Sequence, residues 1–400
     1  MNLLMSLTVR RTLLQRRQWL ATAGLGALLT ACGGGGSGGS DVPAGPALDR
    51  WQEGANALVT QGLVGAAVGW ADAHQTRTAV AGLRRLGNTA QLAPGDLMGI
   101  GSNTKAMTGC VAASVVDQGL LRWDSTLAQA LPGLASEALP VYRNVTLRDL
   151  LDHRAGVMAF TGSADIDAFA RQVGDEALAS AQQPAERQAL FLRWLLQQPP
   201  VAATGEIPGY AYSNAGYILA SRMLADATGQ DWSTLLQRRV AQPLGLSLFV
   251  GTPLRQGPDQ PSGHQIQGGR LKPVALPEAL EQAWGQLLDP AGGVSLRVQD
   301  DAVWLQWHLR ALRGEATPLP TSYVRALQAT GRDTASNYAL GWVVQPWQGG
   351  HWLLHSGELG GFQALSIMAL DGSAAALAHS NTSTPDSMAW LFDSVAALMA

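Results

Sequence analysis

A hydroxyl becomes a nucleophile when a base stands beside it, and a lysine that has lost its proton can be that base. The chain contains two lysines, and one of them stands three places after a serine in Ser102-Asn103-Thr104-Lys105. Two further triplets follow in order, Tyr212-Ser213-Asn214 and His355-Ser356-Gly357. Against the composition of the chain each motif is expected about 0.12 times by chance, and the ordered set about three times in ten thousand, so together they carry a weight none has alone. Residues three apart on a helix lie on one face, which lets Lys105 reach the Ser102 hydroxyl. Lysine, with an ordinary pKa of about 10.4, is protonated at neutral pH, and desolvation in a closed site is what frees its lone pair. Amide groups at the N-terminus of such a helix face Ser102 and can stabilise an oxyanion. Tyr212 offers a phenol to relay a proton to a leaving group, and Asn214 a carboxamide to orient Lys105 and a substrate amide.

Those side chains need elements to hold them. Residues 102–118, opened by the break at Gly99 and Gly101, read as a helix apolar nearly all round, which implies burial on every side. Ahead of it, residues 47–62 have amphipathic helical spacing through Leu48, Trp51, Ala55, Leu58 and Val59, and residues 63–71 and 76–83 read as two strands joined by a turn. Helical segments at 146–152, 185–197, 215–228 and 232–242 fill the middle. Strand patterns return at 338–345, 351–355, 363–369 and 374–380, before a terminal helix at 385–399. Strands at both chain ends with helices between predict an α/β fold. Its antiparallel sheet, flanked by helices, is built from residues 47–98 and 291–400, and a mainly helical domain, residues 99–290, is inserted.

The three motifs in this order resemble the penicillin-recognising serine hydrolases, the superfamily of class C β-lactamases, D-alanyl-D-alanine carboxypeptidases, D-aminopeptidases and related esterases. The resemblance extends through residues 145–153 (VTLRDLLDH) with Gly156, 208–216 (PGYAYSNAG), 242–246 (QPLGL), 291–295 (AGGVS) and 360–362 (GGF), covering about residues 48–399. It implies the β-lactamase/transpeptidase-like fold, with Ser102 as the acylated nucleophile, Lys105 and Tyr212 sharing acid and base work, and Asn214 positioning. It also implies that His355, Ser356 and Gly357 bind substrate from a strand edging the cleft, where the backbone N–H groups of Ser102 and Glu358 form an oxyanion hole. Two departures matter. Class C β-lactamases usually carry Lys-Thr-Gly at the third motif, so a permanent cation is replaced here by His355, a group that ordinarily titrates near neutrality. The glutamate that class A enzymes use for the deacylating water has no counterpart in its loop context, so deacylation goes through Tyr212 and Lys105 or is slow. The expected activity is that of a serine acyl-hydrolase on amide bonds of D-amino-acid peptides or β-lactams. Rival readings are a carboxylesterase of small acyl esters and a cell-wall-binding lipoprotein without turnover.

The remaining composition narrows the partners. Apolar residues make up 46% and charged residues 14%, which excludes disorder as a description of the whole. The net charge of −3, with no basic run beyond the first twenty residues, argues against nucleic acid. Two cysteines exclude a disulfide scaffold, and Cys110, among Ala, Val and Met, reads as a buried thiol. His351 and His355 sit four apart on a strand pattern without a carboxylate between them, so neither a metal nor a cofactor is expected. Asp152 and His153 close a helix and read as structural. Residues 1–31, with four arginines, no acid and an apolar stretch too short to cross a bilayer, read as a signal peptide. Leu29-Thr30-Ala31-Cys32 resembles a bacterial lipobox, which marks Cys32 for lipidation and residues 32–46, with their GGGGSGGS run, as a flexible tether. The expected partners are thus a small-molecule or peptide substrate and a membrane held through that anchor, on the periplasmic side of a bacterial envelope.

Overall fold

The computed structural model describes residues 49–201, 209–275, 284–330, 337–347 and 349–399, so the expected signal peptide, the tether and Cys32 lie outside the described residues. In chain order the strands are β1 (Gly65–Ala71), β2 (Thr76–Gly82), β3 (Met98–Gly99), β4 (Leu248–Val250), β5 (His264–Gln267), β6 (Arg270–Pro273), β7 (Val294–Leu296), β8 (Tyr338–Ala339), β9 (Trp342–Trp347), β10 (Gly350–Leu359), β11 (Phe362–Ala369), β12 (Ala375–Ser380) and β13 (Thr382–Ser383). The helices that bear on the site are α1 (Arg50–Thr60), α2 (Thr104–Asp117), α3 (Leu147–Leu151), α4 (Asn214–Thr228), α5 (Val298–Leu312), α6 (Thr321–Ala329) and α7 (Ser387–Leu398).

The β1–β2 hairpin closes where the Asp72 carboxylate accepts the N–H groups of His74 and Gln75, at 2.7 and 2.9 Å. On its other side β1 pairs antiparallel with β12, Ala66 opposite Ser380 and Ala71 opposite Ala375, and this pairing joins the two ends of the chain. The full order is β2-β1-β12-β11-β10-β9-β8, antiparallel throughout, in the single sheet from both chain ends that was expected.

Side chains alternate across that sheet with the period of two that strands impose. Ala66, Val68, Leu365, Ile367, Ala376 and Ala378 join Ala55, Leu58, Leu391 and Val395 beneath α1 and α7. Ala67, Ala71, Ala364, Met368, Ala375 and Leu377 face the other way, into the main core under α5. With both faces covered, β11 and β12 are buried at every residue, which is why apolar residues dominate both faces of each.

Helix α2 is buried from Thr104 through Ala113, as its all-round apolar pattern required. Its polar groups Thr104, Lys105 and Thr108 are satisfied by residues 290–294: the Val294 N–H donates to Thr104 Oγ1, Lys105 to the Ala291 carbonyl and Thr108 to the Pro290 carbonyl. The structure differs from the strand pattern at 338–345, which splits into β8 and β9 around Leu340 and Gly341, both at positive φ (47° and 99°). The break lets the turn press on α2: a Cβ on Gly109 would lie 2.4 Å from the Leu340 carbonyl oxygen, and one on Gly341 would lie 2.2 Å from the Ala106 nitrogen. Helices α5 and α6 were not anticipated either. Asp300 and Asp301, buried near the start of α5, blur its apolar face.

Gly341→Ala is expected to cost about 3 kcal/mol or more, combining left-handed strain with a backbone clash, whereas Gly349→Ala should cost about 1–2 kcal/mol from strain alone. Gly349 shares the positive φ (81°) but has open space around it. Equal losses in denaturant unfolding of the two variants would show that the approach to α2 contributes nothing.

Candidate active site

Ser102 lies in a single 3-10 turn, Gly101–Asn103, that leads directly into α2. Lys105 is 0% exposed, and its Nζ reaches three oxygens: Ser102 Oγ at 3.0 Å, Asn214 Oδ1 at 2.7 Å and the Ala291 carbonyl at 2.6 Å. This shell suits either protonation state. An ammonium donates one proton to each oxygen; a neutral amine donates to Asn214 and Ala291 and takes the Ser102 hydroxyl proton with its lone pair. Burial drives the Lys105 pKa well below its ordinary value, which favours the amine form.

Tyr212 donates its phenolic hydrogen to Ser102 Oγ at 2.8 Å. Burial raises its pKa, against a smaller lowering by the Ser102 hydrogen bond, so the phenol keeps its proton. A neutral base and a protonated acid therefore meet on one hydroxyl, which is the pairing that acyl transfer needs. Asn214 is fixed as well: its N–H donates to the Ala159 carbonyl at 2.8 Å and its Nδ2 to the Phe160 carbonyl at 3.1 Å. Ser213 caps α4 by accepting the Gly216 N–H and donates to the Met158 carbonyl at 2.6 Å.

The third motif arrives on β10. This strand is not an edge of the sheet as a whole, yet β9 pairs with it only from Gly350 to Leu354, so among the described residues no strand pairs with His355 to Leu359 on that side. That free stretch lies against the Ser102 turn. A Cβ on Gly357 would fall 2.0 Å from the Ile100 carbonyl oxygen and 2.6 Å from the Ser102 nitrogen, and one on Gly101 would fall 2.2 Å from the Glu358 nitrogen. Glycine at both positions is what brings the amides of Ser102 and Glu358 together.

His355 is 5% exposed, and both ring nitrogens are engaged: Nδ1 with the Ser356 carbonyl at 2.7 Å, Nε2 with the Tyr338 hydroxyl at 3.1 Å. A carbonyl only accepts, so Nδ1 carries the proton and Nε2 accepts from Tyr338. Burial, with the Lys105 charge adding to it, pushes the His355 pKa down to about 3. The expectation that this residue titrates near neutrality is corrected accordingly. The structure brings together Ser102, Lys105, Tyr212, Asn214, His355, Gly357 and Glu358. What sequence reasoning missed were carbonyl partners, those of Ala291, Ala159 and Phe160, because a backbone oxygen has no residue-type signature. Among the described residues no group of three His, Cys, Asp or Glu side chains is placed to hold a metal ion.

A Beta-lactamase family profile matches residues 48–397. The chain belongs to the beta-lactamase family. It is a serine hydrolase of that family, 26% identical over 346 residues to Penicillin-binding protein 4 of Amycolatopsis lactamdurans, covering 82% of this chain and 84% of that protein. To the Unguisins hydrolase ungD' of Aspergillus campestris it is 26% identical over 330 residues, 79% of this chain but 56% of that longer protein. The solved D-amino acid amidase from Ochrobactrum anthropi SV3 superposes with a TM-score of 0.65 at 19% identity, over 87% of this chain and 97% of the amidase, and shares the fold. Within this beta-lactamase fold the neutral His355 has a kinetic signature. The profile of kcat/KM should show no inflection from this residue between about pH 5.5 and 7.5, and His355→Gln should leave its shape there unchanged. An acid limb is expected from Lys105, whose amine would serve as base above its depressed pKa and be lost to protonation below it. A wild-type inflection in that window that disappears in His355→Gln would contradict the assignment.

Proposed function

We propose that this beta-lactamase-family serine hydrolase cleaves amide bonds of D-amino-acid peptides and amides through a Ser102 acyl-enzyme, with the strained amide of β-lactams as a chemically related substrate. The observation that carries the reading is the convergence of Lys105 Nζ and Tyr212 OH on Ser102 Oγ. As Oγ attacks the carbonyl carbon, its proton passes to Lys105. The oxyanion of the tetrahedral intermediate faces the N–H groups of Ser102 and Glu358. Tyr212 then protonates the departing nitrogen and is resupplied from Lys105, and the C–N bond breaks. Water deacylates the ester by the reverse relay: its proton passes to Tyr212, Tyr212 passes its own to Lys105, and Lys105 returns that proton to Ser102 Oγ as the ester C–O bond breaks. An extended acyl chain can lie along the unpaired edge at residues 355–359.

The names of the relatives support amides: a penicillin-binding protein, and a neighbour in fold that is a D-amino acid amidase. The neutral His355 supports simple amides and peptides over substrates that need a cation for their carboxylate. The Arg-rich start, the apolar stretch and Cys32 support export and lipid anchoring.

Folded enzyme given D-alaninamide should release ammonia more than about 10-fold faster than with the L form, and not at all in Ser102→Ala. Rapid turnover of p-nitrophenyl butyrate without any amide turnover would select the esterase reading instead. With benzylpenicillin, intact mass should show a Ser102-dependent adduct, whose persistence separates a carboxypeptidase-like enzyme from a β-lactamase. When the full chain is expressed in a bacterium fed labelled palmitate, the membrane fraction should carry labelled protein, and Cys32→Ser should lose the label. Label retained in that variant would remove Cys32 as the anchor.

A further inference from the structure

The geometry points to His153 as a positioning residue for the reaction: it clamps the chain on both sides of Tyr212 and so holds the phenol against Ser102. The backbone N–H of Ala211 donates to the His153 carbonyl at 2.8 Å, and the backbone N–H of Ser213 donates to His153 Nδ1 at 3.1 Å. The imidazole lies beneath the residue it brackets, with ring centroids of His153 and Tyr212 4.3 Å apart.

The local chain is built for this. His153 follows α3 at φ 60°, a left-handed conformation that a residue with a β carbon adopts at a cost. That turn aims its carbonyl and its ring at the same short segment, residues 211–213. The residue before it does parallel work: Asp152 Oδ1 accepts the Leu340 N–H at 3.0 Å and so anchors the turn that presses on the Lys105 helix. One two-residue turn therefore locates both groups that handle the proton.

The clamp requires a neutral ring. Nδ1 accepts an amide hydrogen, so the proton resides on Nε2, and an imidazolium would have no lone pair for Ser213. The residue is 1% exposed, and its Nε2 has no hydrogen-bond partner among the rings of Tyr210, Tyr217 and Tyr338. Burial above all disfavours a second proton, and any charge on the neighbouring Lys105 or His355 would add to that.

The proposal rests on Tyr212 as the acid that protonates the leaving group, and its test uses two esters of one acid, so it does not depend on the D-amino-acid reading. In p-nitrophenyl butyrate the leaving group departs unaided; in ethyl butyrate the alkoxide must be protonated. His153→Gly keeps the left-handed backbone and removes both acceptor and ring. It should lower kcat/KM for ethyl butyrate about 100-fold while the p-nitrophenyl acylation burst falls less than about 5-fold. His153→Asn tolerates the same backbone and restores an acceptor for the Ser213 N–H, so it should recover most of the loss. Tyr212→Phe should show the same split, and the Tyr212→Phe/His153→Gly double variant should be no slower than Tyr212→Phe alone. In the wild type, nitrogen NMR of the ring should show the Nε2–H tautomer. Equal losses on both esters, additive effects in the double variant, a Gly variant with wild-type alkyl-ester turnover, or an Nδ1–H tautomer would each overturn the clamp. If His153→Gly does not fold, the Asn variant decides: its alkyl-ester rate within about 10-fold of wild type supports the clamp, and a larger loss confined to that ester overturns it. A Tyr212→Phe enzyme without the split would overturn the reading of Tyr212 and the clamp with it.

Discussion

Everything at this site depends on keeping one lysine amine dry. Lys105 is wholly buried, where a charged ammonium is disfavoured. Burial alone would leave donors unsatisfied, so the fold supplies Ser102, Asn214 and Ala291 as partners from three separated parts of the chain. The sheet, the all-buried helix α2 and the segment 290–294 can be seen as the apparatus that satisfies those bonds without admitting water. Such a shell accommodates the amine and the ammonium alike, which is what a group cycling one proton requires.

Backbone proximity is the second constraint. Strand β10 meets the Ser102 turn through Gly357 and Gly101, and the β8–β9 turn meets α2 through Gly341 and Gly109. At each contact a methyl group would sit closer to backbone atoms than van der Waals radii permit. The early end of β9 leaves β10 unpaired just where a substrate could add as a strand.

Neutral imidazoles form a third layer. His355 and His153 each use a ring nitrogen as an acceptor, from Tyr338 and from the Ser213 amide, and both are driven toward neutrality by burial and by Lys105. A cationic histidine in either place would oppose protonation of Lys105 during the reaction and break the bond that fixes its neighbour. Tyrosines pack these rings, with Tyr338 contacting both His153 and His355. The aromatic cluster is thus a dry support for the acid and base, and Tyr217 closes it by donating to the Leu151 carbonyl at 2.7 Å.

Residue type and spacing were enough to single out Ser102, Lys105, Tyr212 and Asn214 as candidates, because residues that could act as nucleophile, base and acid are chemically distinctive and few lysines compete for the role; the structure brings these side chains together. Strand alternation at both chain ends likewise predicted the sheet, since a period of two is a local property of extended chain. Helix α5 and the break at Leu340–Gly341 escaped that reading because their reasons are distant: Asp301 is buried against His379 of β12, and the turn bends to meet α2. The protonation states of Lys105 and His355 could not be read either, since desolvation is set by what packs around a group and not by its neighbours in sequence. The role of His153 is the clearest case. Its sequence context marks only the end of a helix, and its function emerges when a left-handed turn places carbonyl and ring on either side of a tyrosine dozens of residues away. By itself, then, the sequence determined which chemistry was available, through side-chain identity and local period; tertiary structure decided charge and geometry, because both arise from atoms that only folding brings together.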